Sequence, residues 1–140
     1  MTEDMDGRSV VKERVLRHAP EKVWRALTQK HLLEDWLMAS DFEPEVGRRF
    51  DFQAEWGAVS CEVLAVEPLK TLSYSWAAHG LESVVTWTLA ETPTGTHLRM
   101  EQTGFGAGQG QAYRGAIAGW ERFLERLDIV LADSEAEGGQ

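Results

Sequence analysis

Residues 111–132, QAYRGAIAGWERFLERLDIVLA, contain the longest apolar-periodic run of the chain. Tyr113, Ile117, Trp120, Leu124, Leu127 and Leu131 recur at alternating steps of four and three. At about 100° per residue they fall on one narrow stripe of a helix. Ala116, Phe123 and Val130 widen that stripe, while Arg114, Glu121, Glu125 and Asp128 occupy the opposite arc. Such a helix has to lie against something apolar. Residues 49–103 read as a succession of strands, and a curved antiparallel sheet wrapped over one long helix is the simplest way to bury both.

A chain of 140 residues with 43% hydrophobic side chains is one domain, long enough to bury a core without disulfides or metal. Its six tryptophans either fill the layer between sheet and helix or line a cavity there for an apolar or aromatic ligand. The net charge of -9, with Lys and Arg scattered, gives no basic stripe for a nucleic-acid backbone. Cys61 is the single cysteine, which excludes an internal disulfide and a Cys-rich zinc site. No apolar run approaches the length of a membrane span and the start has no signal-peptide pattern, so a cytoplasmic protein is expected.

Residues 1–8 are expected to be disordered, residues 9–132 to form the domain, and residues 133–140 to form a disordered, solvated tail. Residues 10–18 mix charged and apolar positions as a strand near a sheet edge does. Pro20 and Glu21 suit the first turn of a short helix, and a second follows from about Lys30. Residues 41–44 read as a short extended piece. Strands are then expected at 49–54, 58–67, 71–76, 81–91 and 96–103, separated by Gly57, Pro68, Gly80 and Pro93-Thr94-Gly95. In the second of these, Val59, Cys61, Val63 and Ala65 alternate with Ser60, Glu62, Leu64 and Val66, and periodicity does not choose the inner set. Strands gathered around one long helix indicate an α+β domain.

Candidate chemistry is sparse. His31 and Asp35, with Glu34 beside them, have a possible metal-ligand spacing but lack a third ligand, so no metal is expected. The four histidines form no metal or triad signature with Cys61 or a Gly-flanked serine. Gly115 and Gly119 form a GxxxG in the long helix, each costing about 1 kcal/mol relative to alanine. Close approach of a strand or loop is the expected compensation, with room for a ligand the alternative. Of the strand polar residues, Gln102 follows Leu98 and Met100 in the alternation and is the best candidate to present an amide to a ligand, unless it bonds adjacent backbone. Glu62 and Glu101 could act as acid or base only if they faced a cavity, and neither is assigned a catalytic role.

Several stretches, taken in order, carry a family resemblance: Val23-Trp24-Arg25-Ala26-Leu27-Thr28, Leu33-Glu34-Asp35-Trp36, Val46-Gly47, Glu67-Pro68, Leu72-Ser73-Tyr74-Ser75-Trp76, Ser83-Val84-Val85-Thr86-Trp87, Gly95-Thr96 and Gly119-Trp120. The chain resembles the domain of activators of the Hsp90 ATPase (AHSA1-type), within the START-like, helix-grip superfamily. The resemblance implies a β-α-α-β6-α arrangement, a helix-grip fold of about seven strands, commonly with a cavity between sheet and helix. The expected function is binding of a small hydrophobic or aromatic ligand without a cofactor. The expected lining set includes Phe52, Trp76, Trp87, Met100, Gln102, Tyr113, Ile117 and Trp120. A chaperone-interacting module is the alternative, and a polyketide cyclase or dehydratase the second alternative.

Overall fold

Pro20 opens α1 (Pro20–Thr28) at the position where a missing N–H costs nothing, with Glu21 in the first turn. Val23, Ala26 and Leu27 form its buried face. The chain turns at Gln29 into α2 (Lys30–Trp36), and the Trp36 indole Nε1 donates to the Ala26 carbonyl at 2.8 Å, fastening one helix to the other. The computed structural model describes residues 8–54, 57–78, 80–106 and 108–138; of residues 1–8, expected to be disordered, 1–7 lie outside them and Arg8 begins the first strand. Around the two short helices run β1 (Arg8–Leu16), β2 (Ala39–Ser40), β3 (Arg49–Ala54), β4 (Gly57–Glu67), β5 (Thr71–Ala78), β6 (Leu81–Thr92) and β7 (Gly95–Phe105). The long helix α3 spans Gly110–Gly138. It continues past Ala132, where the sequence reading placed the start of a tail.

The seven strands form one antiparallel sheet in the order β1-β7-β6-β5-β4-β3-β2. This is a helix-grip arrangement, with α1 and α2 inserted between the first two strands. The short second strand lies at Ala39–Ser40, paired with Gln53 and Phe52, rather than at residues 41–44. Phe42 instead turns inward, with its ring edge-on to Phe50 at 4.9 Å between centroids.

Burial resolves the ambiguity in β4. Val59, Cys61 and Val63 face the core, while Ser60 and Leu64 are exposed and Glu62 is half-buried. A register shift between Val63 and Ala65 then interrupts the alternation, which is how Val66, paired with Leu72, packs against the core from the other parity. Elsewhere the alternation holds: Phe50 and Phe52, Leu72 and Tyr74, Val85, Trp87 and Leu89, and Leu98, Met100 and Gln102 are buried. On α3, Trp120, Leu124, Leu127 and Leu131 are buried against this surface. Each of the three leucines contributes about 1.5–3 kcal/mol of transfer free energy.

Ile117 departs from the sequence expectation. It is 36% exposed. By helical angle Ile117 and Phe123 lie about 60° to either side of Trp120, and of the two it is Phe123 that packs, partly buried, against the core. On the other side α3 meets the edge strand β1 through charge rather than apolar contact, Lys12 and Arg14 both reaching Glu121 at 2.9 and 2.8 Å.

Candidate functional site

The sheet is concave and α3 does not fill its concavity along the whole length. The helix seats on the sheet through Trp120, Leu124, Leu127 and Leu131, and along its flank from Ala112 to Arg126 a cavity of about 750 Å³ remains. Trp76 and Ala78 of β5, Leu81 of β6, Gln102 of β7 and the end of β3 at Gln53 and Ala54 supply the sheet side. Leu37 and Met38, just past α2, close one flank. The helix side is Ala112, Gly115, Ala116, Gly119, Trp120 and Phe123, with Arg122 and Arg126 further round.

The two helix glycines belong to this cavity. A Cβ built on either Gly115 or Gly119 meets nothing within 4 Å. The expected close approach of a strand or loop is absent, and the open space beside them is the cavity itself. The helix therefore tolerates two unfavourable residues at the positions where side chains would narrow the space.

Trp120 anchors the inner end. Its ring lies 5.2 Å from Trp76, 5.6 Å from Trp87 and 5.5 Å from Phe123, centroid to centroid. Its Nε1 donates to Gln102 Oε1 at 2.8 Å, Gln102 Nε2 donates to Ser83 Oγ at 2.9 Å, and Ser83 Oγ donates to the Trp76 carbonyl at 2.9 Å. This relay crosses from α3 through β7 and β6 to β5 and determines which way the Gln102 amide points. Gln102 is thus bonded chiefly through side chains, not to adjacent backbone as one sequence reading had it. The amide keeps one further N–H and one oxygen lone pair.

Of the eight residues expected from sequence to line a cavity, Trp76, Gln102 and Trp120 do so. Phe52, Trp87 and Met100 are fully buried in the layer behind them. Phe52 supports Trp76 at 5.5 Å. Tyr113 is half-buried against Phe105 at 5.4 Å, outside the cavity, and Ile117 is on the exposed flank. The reading missed Leu37, Met38, Phe123, Arg122 and Arg126. The GxxxG, for which room for a ligand was the alternative reading, was the sequence signal pointing to the side of the helix where the cavity lies.

The candidate acids and bases lie elsewhere. Glu62 is on the outer face, 3.8 Å from Arg49, and Glu101 is likewise outward, 3.2 Å from Arg99. His31, Glu34 and Asp35 are exposed, and among the described residues no three His, Cys, Asp or Glu side chains are grouped to hold a metal ion. Cys61 is buried on the core side of β4; burial, and secondly the Asp51 carboxylate, push its thiol far up from the ordinary value. Burial does the same to the Tyr74 hydroxyl, which accepts from Trp87 Nε1 at 2.9 Å. Neither group is poised to ionise. Among the described residues no helix is long and apolar enough to cross a membrane.

Known structures share this architecture. Protein MLL2253 from Mesorhizobium loti is 57% identical, with a TM-score of 0.88 over 90% of this chain and 98% of that one. BH1534 from Bacillus halodurans is 28% identical, with a TM-score of 0.79 over 91% and 99%. CalU16 from Micromonospora echinospora is 26% identical, with a TM-score of 0.78 over 88% and 73%. No curated protein matches the sequence. The sequence profile of the Activator of Hsp90 ATPase homolog 1-like proteins matches residues 17–132, from the end of the first strand to the last buried turn of α3. The chain belongs to the family of Activator of Hsp90 ATPase homolog 1-like proteins.

Proposed function

We propose that this protein is a cytoplasmic binder of a small molecule with an apolar or aromatic body, held between the sheet and α3. The observation that carries the reading is the cavity of about 750 Å³ under α3, faced by two glycines whose missing side chains leave it open. Ligand sites are typically about 300–1,000 Å³, mostly apolar, with a few placed polar groups. Trp76, Trp120 and Phe123 offer ring surface, and Gln102 offers an oriented amide. Because Trp76 and Trp120 line the space, tryptophan emission reports on occupancy. A panel of flat aromatic and alkyl compounds should give a saturable change that is reduced in Trp120→Phe and carried there by Trp76. No saturable response from any member of the panel would overturn the reading.

The family match supports a second reading, a chaperone-interacting module. Pull-down of the host's Hsp90-type chaperone with a stimulated ATPase rate would favour it over ligand binding. The remaining alternative, acid-base catalysis of a cyclase type, has less support. The described cavity lining includes no carboxylate or histidine, and both candidate glutamates face away from it.

A further inference from the structure

The cavity wall has a charge opposite to that of the chain. The protein has 23 acidic against 14 basic residues. Yet among the described residues lining the cavity, the ionisable side chains are two arginines, Arg122 and Arg126. Four apart on α3, they are neighbours on one helix face, where like charges repel.

Several cations on this surface are paired, and Arg17, Arg25, Arg48, Lys70 and Arg114 share with the cavity pair the lack of a carboxylate within 4.0 Å among the described residues. Lys12 and Arg14 share Glu121, Lys30 holds Glu43, Arg49 approaches Glu62 and Arg99 holds Glu101. Among the described residues, neither Arg122 nor Arg126 has a carboxylate within 4.0 Å. Arg126 Nη2 donates only to the main-chain carbonyl of Asp35, at a long 3.3 Å, reaching across to the end of α2. Two neighbouring guanidinium groups therefore stand beside the apolar cavity, exposed to solvent and, among the described residues, without a carboxylate partner. A guanidinium presents a planar fork of donors that matches a carboxylate in two parallel hydrogen bonds.

We propose that the ligand is an organic acid whose apolar body enters between Trp76, Trp120 and Phe123 while its carboxylate is held by Arg122 and Arg126. The inference rests on the binding reading above and adds the chemical class of the ligand. The overall charge of -9 disfavours anions in general, so selection of an acid is local to this pair of side chains. The carboxylate displaces the weak Arg126 contact to Asp35, and Gln102 remains available to a hydroxyl or carbonyl on the buried end of the molecule.

The test compares acids with their neutral isosteres by isothermal titration calorimetry: naphthaleneacetate against naphthaleneacetamide, and decanoate against decanamide. Wild-type protein should prefer each acid by about ten-fold or more, the range of a charge-assisted hydrogen bond over a neutral one. The double variant Arg122→Gln, Arg126→Gln should lose that preference while retaining amide binding. Arg114→Gln, which removes the same charge from α3 outside the cavity, should leave it unchanged. Equal affinity for acid and amide in the wild type overturns the acid assignment while leaving ligand binding intact. An equal loss of preference in Arg114→Gln also overturns it, as a general charge effect. Binding of none of the four probes counts against the cavity reading itself, and the acid assignment falls with it.

Discussion

Gln102 does two jobs that are separable by substitution. It accepts from the Trp120 indole and donates to Ser83, so it holds the helix to three strands as well as lining the cavity. Replacement by leucine leaves the buried Trp120 Nε1 without an acceptor, whereas Ser83 keeps its bond to the Trp76 carbonyl. One orphaned buried donor costs about 1–3 kcal/mol, and urea unfolding of Gln102→Leu should show a lower midpoint by that amount with an unchanged slope. A midpoint equal to the wild type would mean that water serves the indole in the cavity. Cys61 gives a second check at this scale. Its thiol is 5% exposed and held far above its ordinary pKa by burial. Ellman's reagent should therefore modify it only as fast as the protein opens, and rapid stoichiometric labelling of the native protein would contradict the inward assignment of the Val59, Cys61, Val63 face.

At the level of the element, α3 has two faces with different tasks. Trp120, Leu124, Leu127 and Leu131 seal the core, while Ala112, Gly115, Ala116 and Gly119, continued by Phe123, Arg122 and Arg126 on the same flank, line the cavity. Because an added methyl at Gly115 or Gly119 meets open space, alanine should gain helix propensity of about 1 kcal/mol at each position without a clash. The double alanine variant should melt several degrees higher, roughly 3–8 °C in a domain of this size. The same methyl groups project toward the cavity, so this more stable variant should bind the naphthalene probes more weakly. Higher melting temperature with unchanged affinity would place the ligand away from these glycines. A lower melting temperature would show that the glycines serve packing after all.

For the whole molecule, closure depends on joining the two ends of the chain. β1 pairs with β7 along its full length, and Glu121 of α3 reaches back to Lys12 and Arg14 of β1. Its hydrogen bond from Lys12, then the Arg14 and Lys12 charges, hold the Glu121 carboxyl below its ordinary value of 4.5. Lys30 lowers Glu43 in the same way. A carboxyl lowered in the folded state contributes stability that is fully present above its unfolded value and is lost as pH falls through the folded one. Stability should therefore be level in this respect above about pH 5 and decline in the acid range below 4.5. Glu121→Gln should be less stable than the wild type at pH 7, and the gap should narrow as the pH is lowered toward 3. A gap that does not change with pH would show that the contact acts through packing rather than charge. Both carboxylates are solvent-exposed, so the effect is modest and weaker in high salt.

The division between what sequence determined and what tertiary structure decided follows from the range of the forces involved. The period of α3, the period-two strands from β3 to β7 and the proline and glycine punctuation depend on neighbours within a few residues, so the order of elements was legible before any contact was known. The family motifs, carried by local tryptophans, glycines and prolines, were legible in the same way. Three things were not. The inner face of β4 had two nearly equal apolar sets, and only packing under α3, with a bulge after Val63, chose between them. The length of α3 beyond Ala132 lacked an apolar signal, since residues 133–138, DSEAEG, do not continue the apolar period. The cavity lies on one shoulder of the helix, the side on which Ala116, Phe123 and Val130 widen the stripe, and an apolar stripe looks the same in sequence whether it packs or lines a space. Ile117 and Phe123 are equivalent by angle and apolar character. Which of them meets solvent and which lines the cavity is decided by how the helix sits on the sheet, a relation between residues far apart along the chain.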